Sequence, residues 1–143
     1  MDPNCIFCGI ASGGAEASVV FDDRHVIAFM DLRAFQPGHT LVIPRAHVSD
    51  ISALEDGGTA RALMLAVARV SRAVRSAFAG QGISVWSSNG EAAGQEVPHL
   101  HLHVVPRYEG DGLLRVYPSR PDHPPRADLD EHARRIRDAM REY

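Results

Sequence analysis

Pro98-His99-Leu100-His101-Leu102-His103-Val104-Val105-Pro106 is the stretch that decides how this chain is read. Between the two prolines, histidine alternates with an aliphatic residue in strict period two, the pattern of a strand whose two faces differ in character. A strand is therefore expected over 99–105. His99, His101 and His103 would share one face at spacings of roughly 6.6–7 Å. Leu100, Leu102 and Val104 would face the other way, onto an apolar layer supplied by a helix. A single strand histidine is usually a half-buried residue satisfied by the backbone, but three in register form a rigid platform for a site. Alternate positions on an extended strand do not converge easily on one ion with bonds of about 2 Å, so this run is not expected to supply three ligands to one metal.

A row of imidazoles suits attack on phosphorus. The unperturbed pKa of about 6.5 leaves much of each ring deprotonated near neutral pH, with a nucleophilic nitrogen available. His101, with a histidine on either side, is the natural nucleophile. Its neighbours would orient it, carry charge and contact phosphate oxygens.

Working outward, Val19 to Phe21 and Val26 to Phe29 are short apolar runs around the turn-like Asp22-Asp23-Arg24, and read as a hairpin. Gln36-Pro37-Gly38 is turn chemistry before a strand from His39 to Ile43, which Pro44 closes. From Thr59 to Ala79, Leu63, Val67, Val70 and Val74 recur at helical steps, with Arg61, Arg69, Arg72 and Arg75 forming the wet face. This is the one long helix, ending near Gly80 and Gly82. Ile83 to Trp86 reads as a strand, with Trp86 in the core. Ser88 to Gln95 is a loop whose glycines at 90 and 94 let a phosphate approach the backbone. After the histidine strand, Arg107, Tyr108 and Gly110-Asp111-Gly112 read most simply as a solvated turn, with contact to a second nucleotide or phosphate as the alternative. Ser119 to Arg126 is proline-rich and extended, and Asp128 to Tyr143 is a weaker, charged helix. The fold class expected is α+β: a mainly antiparallel sheet packed with one long helix and a short C-terminal helix. One domain spanning 1–143 is expected, with 119–143 as a peripheral extension.

Composition narrows the classes of function. A 143-residue chain that is 45% hydrophobic can bury one continuous core. Its formal charge of −3 gives no basic field for a nucleic acid polymer, although a local phosphate pocket remains open. No run approaches the roughly 18 apolar residues of a membrane span, and the N-terminus lacks the pattern of a signal peptide, so a cytoplasmic protein without membrane partners is expected. Both cysteines lie in Cys5-Ile6-Phe7-Cys8, which in a reducing compartment reads as metal or redox chemistry before it reads as a disulfide. A closed zinc site would need two further ligands, which histidines must supply.

The run from Gly94 to Val105 closely resembles the H-x-H-x-H-x-x signature of the histidine triad superfamily. Cys5 to Cys8, Ala28-Phe29-Met30-Asp31, Pro37 to Pro44 and Arg45-Ala46-His47-Val48 are also similar to that family, in its order, and the likeness covers about 5–107. It is closest to the cysteine-bearing, zinc-binding bacterial branch. The resemblance implies a nucleotide hydrolase or transferase that acts on the α-phosphate of nucleoside phosphoramidates, adenylylated compounds or related conjugates of a purine nucleotide. The reaction would pass through a nucleotidyl-histidine on His101. The resemblance further implies Asp31 on the ribose hydroxyls, Leu32 and Ile27 as walls of the base pocket, and Asn89 and Gln95 as phosphate contacts, next to the loop in which Gly94 lets a phosphate approach the backbone. His103 would lie beside them and His39 behind the triad as an orienter. Structural zinc on Cys5, Cys8, His47 and His99 is implied by the same likeness, as is a homodimer formed through the long helix and a sheet edge. Glu96 departs from branches that carry serine or threonine there, and this bears on the leaving group. A dinucleoside polyphosphate hydrolase is the competing enzymatic expectation, and a non-catalytic nucleotide sensor is the competing one from another class.

Overall fold

The computed structural model describes residues 2–113 and 123–142, which fall into two compact units divided between Asp111 and Gly112. The first unit holds helix α1 (Ile6–Ala11), strands β1 (Val19–Asp22), β2 (Val26–Met30) and β3 (Thr40–Pro44), the long helix α2 (Gly57–Ala77), and strands β4 (Gly82–Trp86) and β5 (Leu102–Arg107). The second contains helix α3 (Arg126–Ala139). The five strands form one antiparallel sheet in the order β1-β2-β3-β5-β4, so β5 lies between β3 and β4. This is the α+β class expected. Residues 119–122 of the proline-rich stretch lie outside the described residues.

Period-two alternation in β2 and β3 divides the core into two layers. Val26, Ala28 and Val42 face one side with Leu100, Leu102 and Val104, where they meet Leu63, Ala66, Val67, Val70 and Val74 of α2. Ile27, Phe29, Leu41 and Ile43 face the other side and meet Cys5, Phe7, Cys8, Ile10 and Ala11 of α1 and its start. The sheet is thus covered on both faces, which explains why β3 is buried along its whole length. The face opposite α2 carries the site.

Turn chemistry sets the approach of these elements. The His39 N–H donates to the Gln36 carbonyl at 3.1 Å, with Pro37 second in the turn and Gly38 at φ +88 in third place, as a type II turn requires. A Cβ on Gly38 would meet the Phe78 ring at 2.6 Å, so glycine is needed there twice over. Helix α2 starts at Asp56, whose carboxylate accepts the Thr59 N–H at 2.6 Å. Its end differs from expectation: the left-handed residue is Ala79 at φ 51, not a glycine. Gly80 instead serves close packing, since a Cβ there would come 3.1 Å from Pro106.

The histidine run is shifted from the expected strand. Ladder pairing starts at Leu102, and Pro106 stays in β5 opposite Ile83. Upstream, Pro98 has no N–H to offer, and the Leu100 N–H donates to the Val48 carbonyl at 2.6 Å, so residues 98–101 are tied to the segment after β3. Pro106 is tolerated because its carbonyl accepts from the Gln36 side chain on the β3 side, beyond the last pair Thr40–Val104. The alternation of faces survives the shift, with Leu100 fully buried against α2.

Candidate active site and metal centre

A cleft opens on the α1 side of the sheet. Its apolar walls are Ile6, Phe7 and Ile10 of α1 with Phe29 and Leu41 of β2 and β3; Asp31, His39, His101 and His103 bring the polar chemistry. The cleft has a volume of about 370 Å³, enough for a nucleotide-sized ligand.

His101 is held by the backbone. Its Nδ1 lies 2.7 Å from the His99 carbonyl, a contact that requires the proton on Nδ1. In the neutral imidazole this tautomer puts the lone pair on Nε2, the nitrogen a nucleophile needs. Phe7 packs edge-on against the ring at 5.3 Å between centroids and restricts its rotation.

Beside it, His39 Nε2 and His103 Nδ1 are 2.8 Å apart, and Asp31 Oδ2 lies 3.3 Å from the same His39 nitrogen. Burial holds both imidazoles below the usual histidine range. His103 is lowered to about 4 by burial first, then by His101 and His39. Both rings are neutral near pH 7 and share one proton across the contact. His39 Nδ1 is buried without a partner, and a bare acceptor there is less costly than an orphaned N–H. The His39 proton therefore sits on Nε2 and is donated to His103, which leaves the His103 proton on Nε2. Trp86, opposite His103 across the β4–β5 ladder, stacks on its ring at 4.5 Å and 4°. Trp86 is thus half-buried and braces the site, a correction to the core position expected for it. Cross-strand register, which the sequence does not display, decides this.

The second cluster lies on the other side of His101. Ligand atoms of Cys5, Cys8, His47 and His99 lie within 4.8 Å of one another. Cys5 Sγ is 3.5 Å from His99 Nδ1, and Cys8 Sγ is 3.3 Å from His47 Nδ1 and 3.7 Å from His99 Nδ1. A tetrahedral zinc with bonds of about 2.3 Å to sulfur and 2.05 Å to nitrogen would separate such atoms by about 3.6 Å. The donor set fits that ion. His99 Nε2 lies 2.9 Å from the Pro44 carbonyl and donates to it, so Nδ1 presents a lone pair to the thiols. Burial pushes the Cys5 thiol up, so an ion would have to displace a proton there.

Other residues singled out by the sequence fall as follows. Leu32, Gly94 and Glu96 border the cleft with Asp31. Ile27 does not; it is buried beneath α1, two residues deeper than Phe29 on the same face. Asn89 and Gln95 tie their loop to the segment that follows β3. Asn89 Oδ1 accepts the Ile51 N–H at 2.8 Å, and Gln95 accepts from the Gly90 N–H at 2.7 Å while donating to the Ser49 carbonyl at 2.6 Å. Arg107 forms a bidentate pair with Asp111 at 2.6 and 2.7 Å, which closes the turn after β5. The walls Ile6, Phe7, Ile10, Phe29 and Leu41 were not foreseen. Phe29 was readable from Asp31, since both lie on one face of an alternating segment.

The HIT domain model matches residues 12–110. The chain belongs to the HIT domain family. Protein hit of Bacillus subtilis is 41% identical over 120 residues, covering 83% of this chain and 82% of its own. A crystal structure of a HIT family member from Bacillus subtilis superposes with a TM-score of 0.86 at 38% identity, over 94% of this chain and 96% of that one. A Zn-bound histidine triad family protein from Mycobacterium smegmatis superposes with a TM-score of 0.71 at 35% identity, over 90% and 97% of the two chains.

Proposed function

We propose that this HIT-domain protein is a nucleotide hydrolase or nucleotidyltransferase that cleaves nucleoside phosphoramidates, adenylylated compounds or related conjugates at the α-phosphorus. One observation carries the reading: His101 is fixed through Nδ1 to the His99 carbonyl, and its ring lines a nucleotide-sized cleft. The Nε2 lone pair forms a bond to phosphorus while the bond to the leaving group breaks. The leaving group takes that electron pair and, if an amine, a proton from solvent. Water then attacks phosphorus, the P–Nε2 bond breaks, and one water proton returns to solvent. His103 Nε2–H is a neutral donor for a non-bridging phosphate oxygen, and its orientation is set by His39 and the stacked Trp86. Asp31 accepts from ribose hydroxyls, and the apolar walls from α1, Phe29 and Leu41 enclose a purine base.

Cys5, Cys8, His47 and His99 would hold a zinc ion, and with four protein ligands that ion would supply a structural tie between α1 and the triad. Exposed Met64 and Leu65 on α2 and Val85 on the edge strand β4 support pairing of two copies through that helix and edge. No helix among the described residues is long and apolar enough to cross a membrane. A reducing, cytoplasmic setting suits thiol ligands.

Chromatography of AMP released from adenosine 5′-phosphoramidate, Nε-adenylyl lysine and diadenosine polyphosphates tests the reading. Release that His101→Ala abolishes is the expected result. Binding of AMP without release from any of the three would replace the enzyme with a nucleotide sensor.

A further inference from the structure

Two charged side chains border the cleft without contacting the histidines that act on phosphorus. Arg33, just after β2, and Glu96, just before the triad, border the cleft from opposite lips and form an ion pair with each other. They are 79% and 70% exposed, whereas the apolar walls Phe7, Phe29 and Leu41 are buried. With a base between those walls and phosphorus at His101, the group bonded to that phosphorus would have the exposed lips of the same cleft, Arg33 and Glu96, as its exit.

The charges along this lining are unequal. Among the described residues, Glu16, Asp31 and Glu96 supply three carboxylates to the lining, and Arg33 is the one arginine. Arg33 is already engaged by Glu96. A polyphosphate leaving group, bearing several negative charges, would need Arg33 released and would then face the uncovered carboxylate of Glu96. A leaving group bearing an ammonium could approach Glu96 directly and take the place of Arg33. A neutral amine disturbs the pair least.

We propose that the Arg33–Glu96 pair sorts substrates by the charge of the group bonded to the α-phosphorus, favouring cationic and neutral amines and turning away polyphosphates. This rests on the nucleotidyl-transfer reading and names its leaving-group class. It assigns Glu96 and Arg33 as specificity residues at the exit, outside the reacting atoms. Since the pair is exposed, its effect weakens with ionic strength.

The test compares kcat/KM for AMP release from Nε-adenylyl lysine, adenosine 5′-phosphoramidate and diadenosine tetraphosphate, in the wild type and in Glu96→Lys, Glu96→Gln and Arg33→Gln. Wild type should rank the lysine conjugate above the tetraphosphate. Glu96→Lys should move that ratio toward the tetraphosphate by roughly tenfold, and Arg33→Gln should move it the other way. A ratio constant within about twofold across the variants, with AMP still released, would overturn the sorting and leave the nucleotidyl-transfer reading intact. A binding arm in the His101→Ala background removes the dependence on turnover: ATP affinity relative to AMP should rise in Glu96→Lys. If wild type releases nothing yet this binding shift is seen, sorting stands and catalysis falls. Absence of any nucleotide binding overturns both.

Discussion

His99 and His101 are the same residue type, two positions apart and both buried, yet they are put to opposite uses. Each gives one N–H to a backbone carbonyl. His99 gives Nε2–H to Pro44 and turns Nδ1 toward two thiols; His101 gives Nδ1–H to His99 and turns Nε2 into the cleft. A backbone carbonyl, and nothing in the side chain, selects which nitrogen keeps its lone pair and hence whether the ring serves a metal or a nucleotide. The His99 carbonyl also joins the two regions, because the residue facing the metal cluster fixes the tautomer of the nucleophile.

The largest expected effect separates the two rings. His101→Ala should lower AMP release by about 10³-fold or more while leaving zinc content nearly unchanged, since its ring supports no ligand atom. His99→Ala should do the reverse in kind, losing zinc and thermal stability. Release per folded molecule, read beside metal analysis and calorimetry, checks both. Equal losses of zinc in the two variants would mean that both rings serve the metal cluster.

Metal removal comes next. Helix α1 interleaves cluster residues with cleft walls: Cys5 and Cys8 face the metal position, while Ile6, Phe7 and Ile10 face the cleft. Stripping zinc, or Cys8→Ala, should cost about 4 kcal/mol, a drop of roughly 10–15 °C in Tm, and should weaken AMP binding severalfold. By linkage, AMP should raise the affinity for zinc by the same factor in an equilibrium competition with a chelator. Melting that is indifferent to chelation would remove the metal from the account.

Much of this was legible in the sequence because it rests on periodicity and spacing. Alternation in 99–105 predicted which side chains meet α2, and it held although pairing starts only at Leu102, since the burial of Leu100 depends on direction and not on ladder hydrogen bonds. The gathering of Cys5, Cys8, His47 and His99 followed from the family resemblance together with the isolated C-x-x-C. Helix α1 was not legible: it has six residues, too few for a periodic signal, and its cysteines drew the reading toward metal alone. The stacking of Trp86 on His103 was hidden for another reason. It depends on which residue of β4 lies opposite which residue of β5, a fact of tertiary register.

Acid should expose a third difference, between the neutral pair His39–His103 and ordinary histidines. In the folded protein His103 titrates near 4, in the unfolded chain near its usual 6.5. Between those values the unfolded state binds more protons, so stability is fully present above about pH 6.5 and falls as pH drops toward 4, by about 3 kcal/mol for this group. Urea unfolding at pH 7.5, 6, 5 and 4.5 should show that slope, and His103→Asn should flatten it relative to wild type with zinc present in both. Parallel curves would mean that His103 is not held neutral.

The smallest expected effect belongs to the opposite extreme of the cleft. The Arg33–Glu96 pair is as exposed as His99 is buried, and an exposed pair gains little in water after the ordering of two long side chains is counted. Glu96→Gln and Arg33→Gln should therefore change unfolding free energy by less than about 0.5 kcal/mol in denaturant titrations. That near-neutrality separates recognition from folding: a charge that does not hold the protein together can be changed without disturbing His101, so any shift in substrate ratio is attributable to the charge itself. A loss of about 2 kcal/mol in either variant would mean that the pair braces the lips of the cleft, and its influence on substrates would then be mechanical instead of electrostatic.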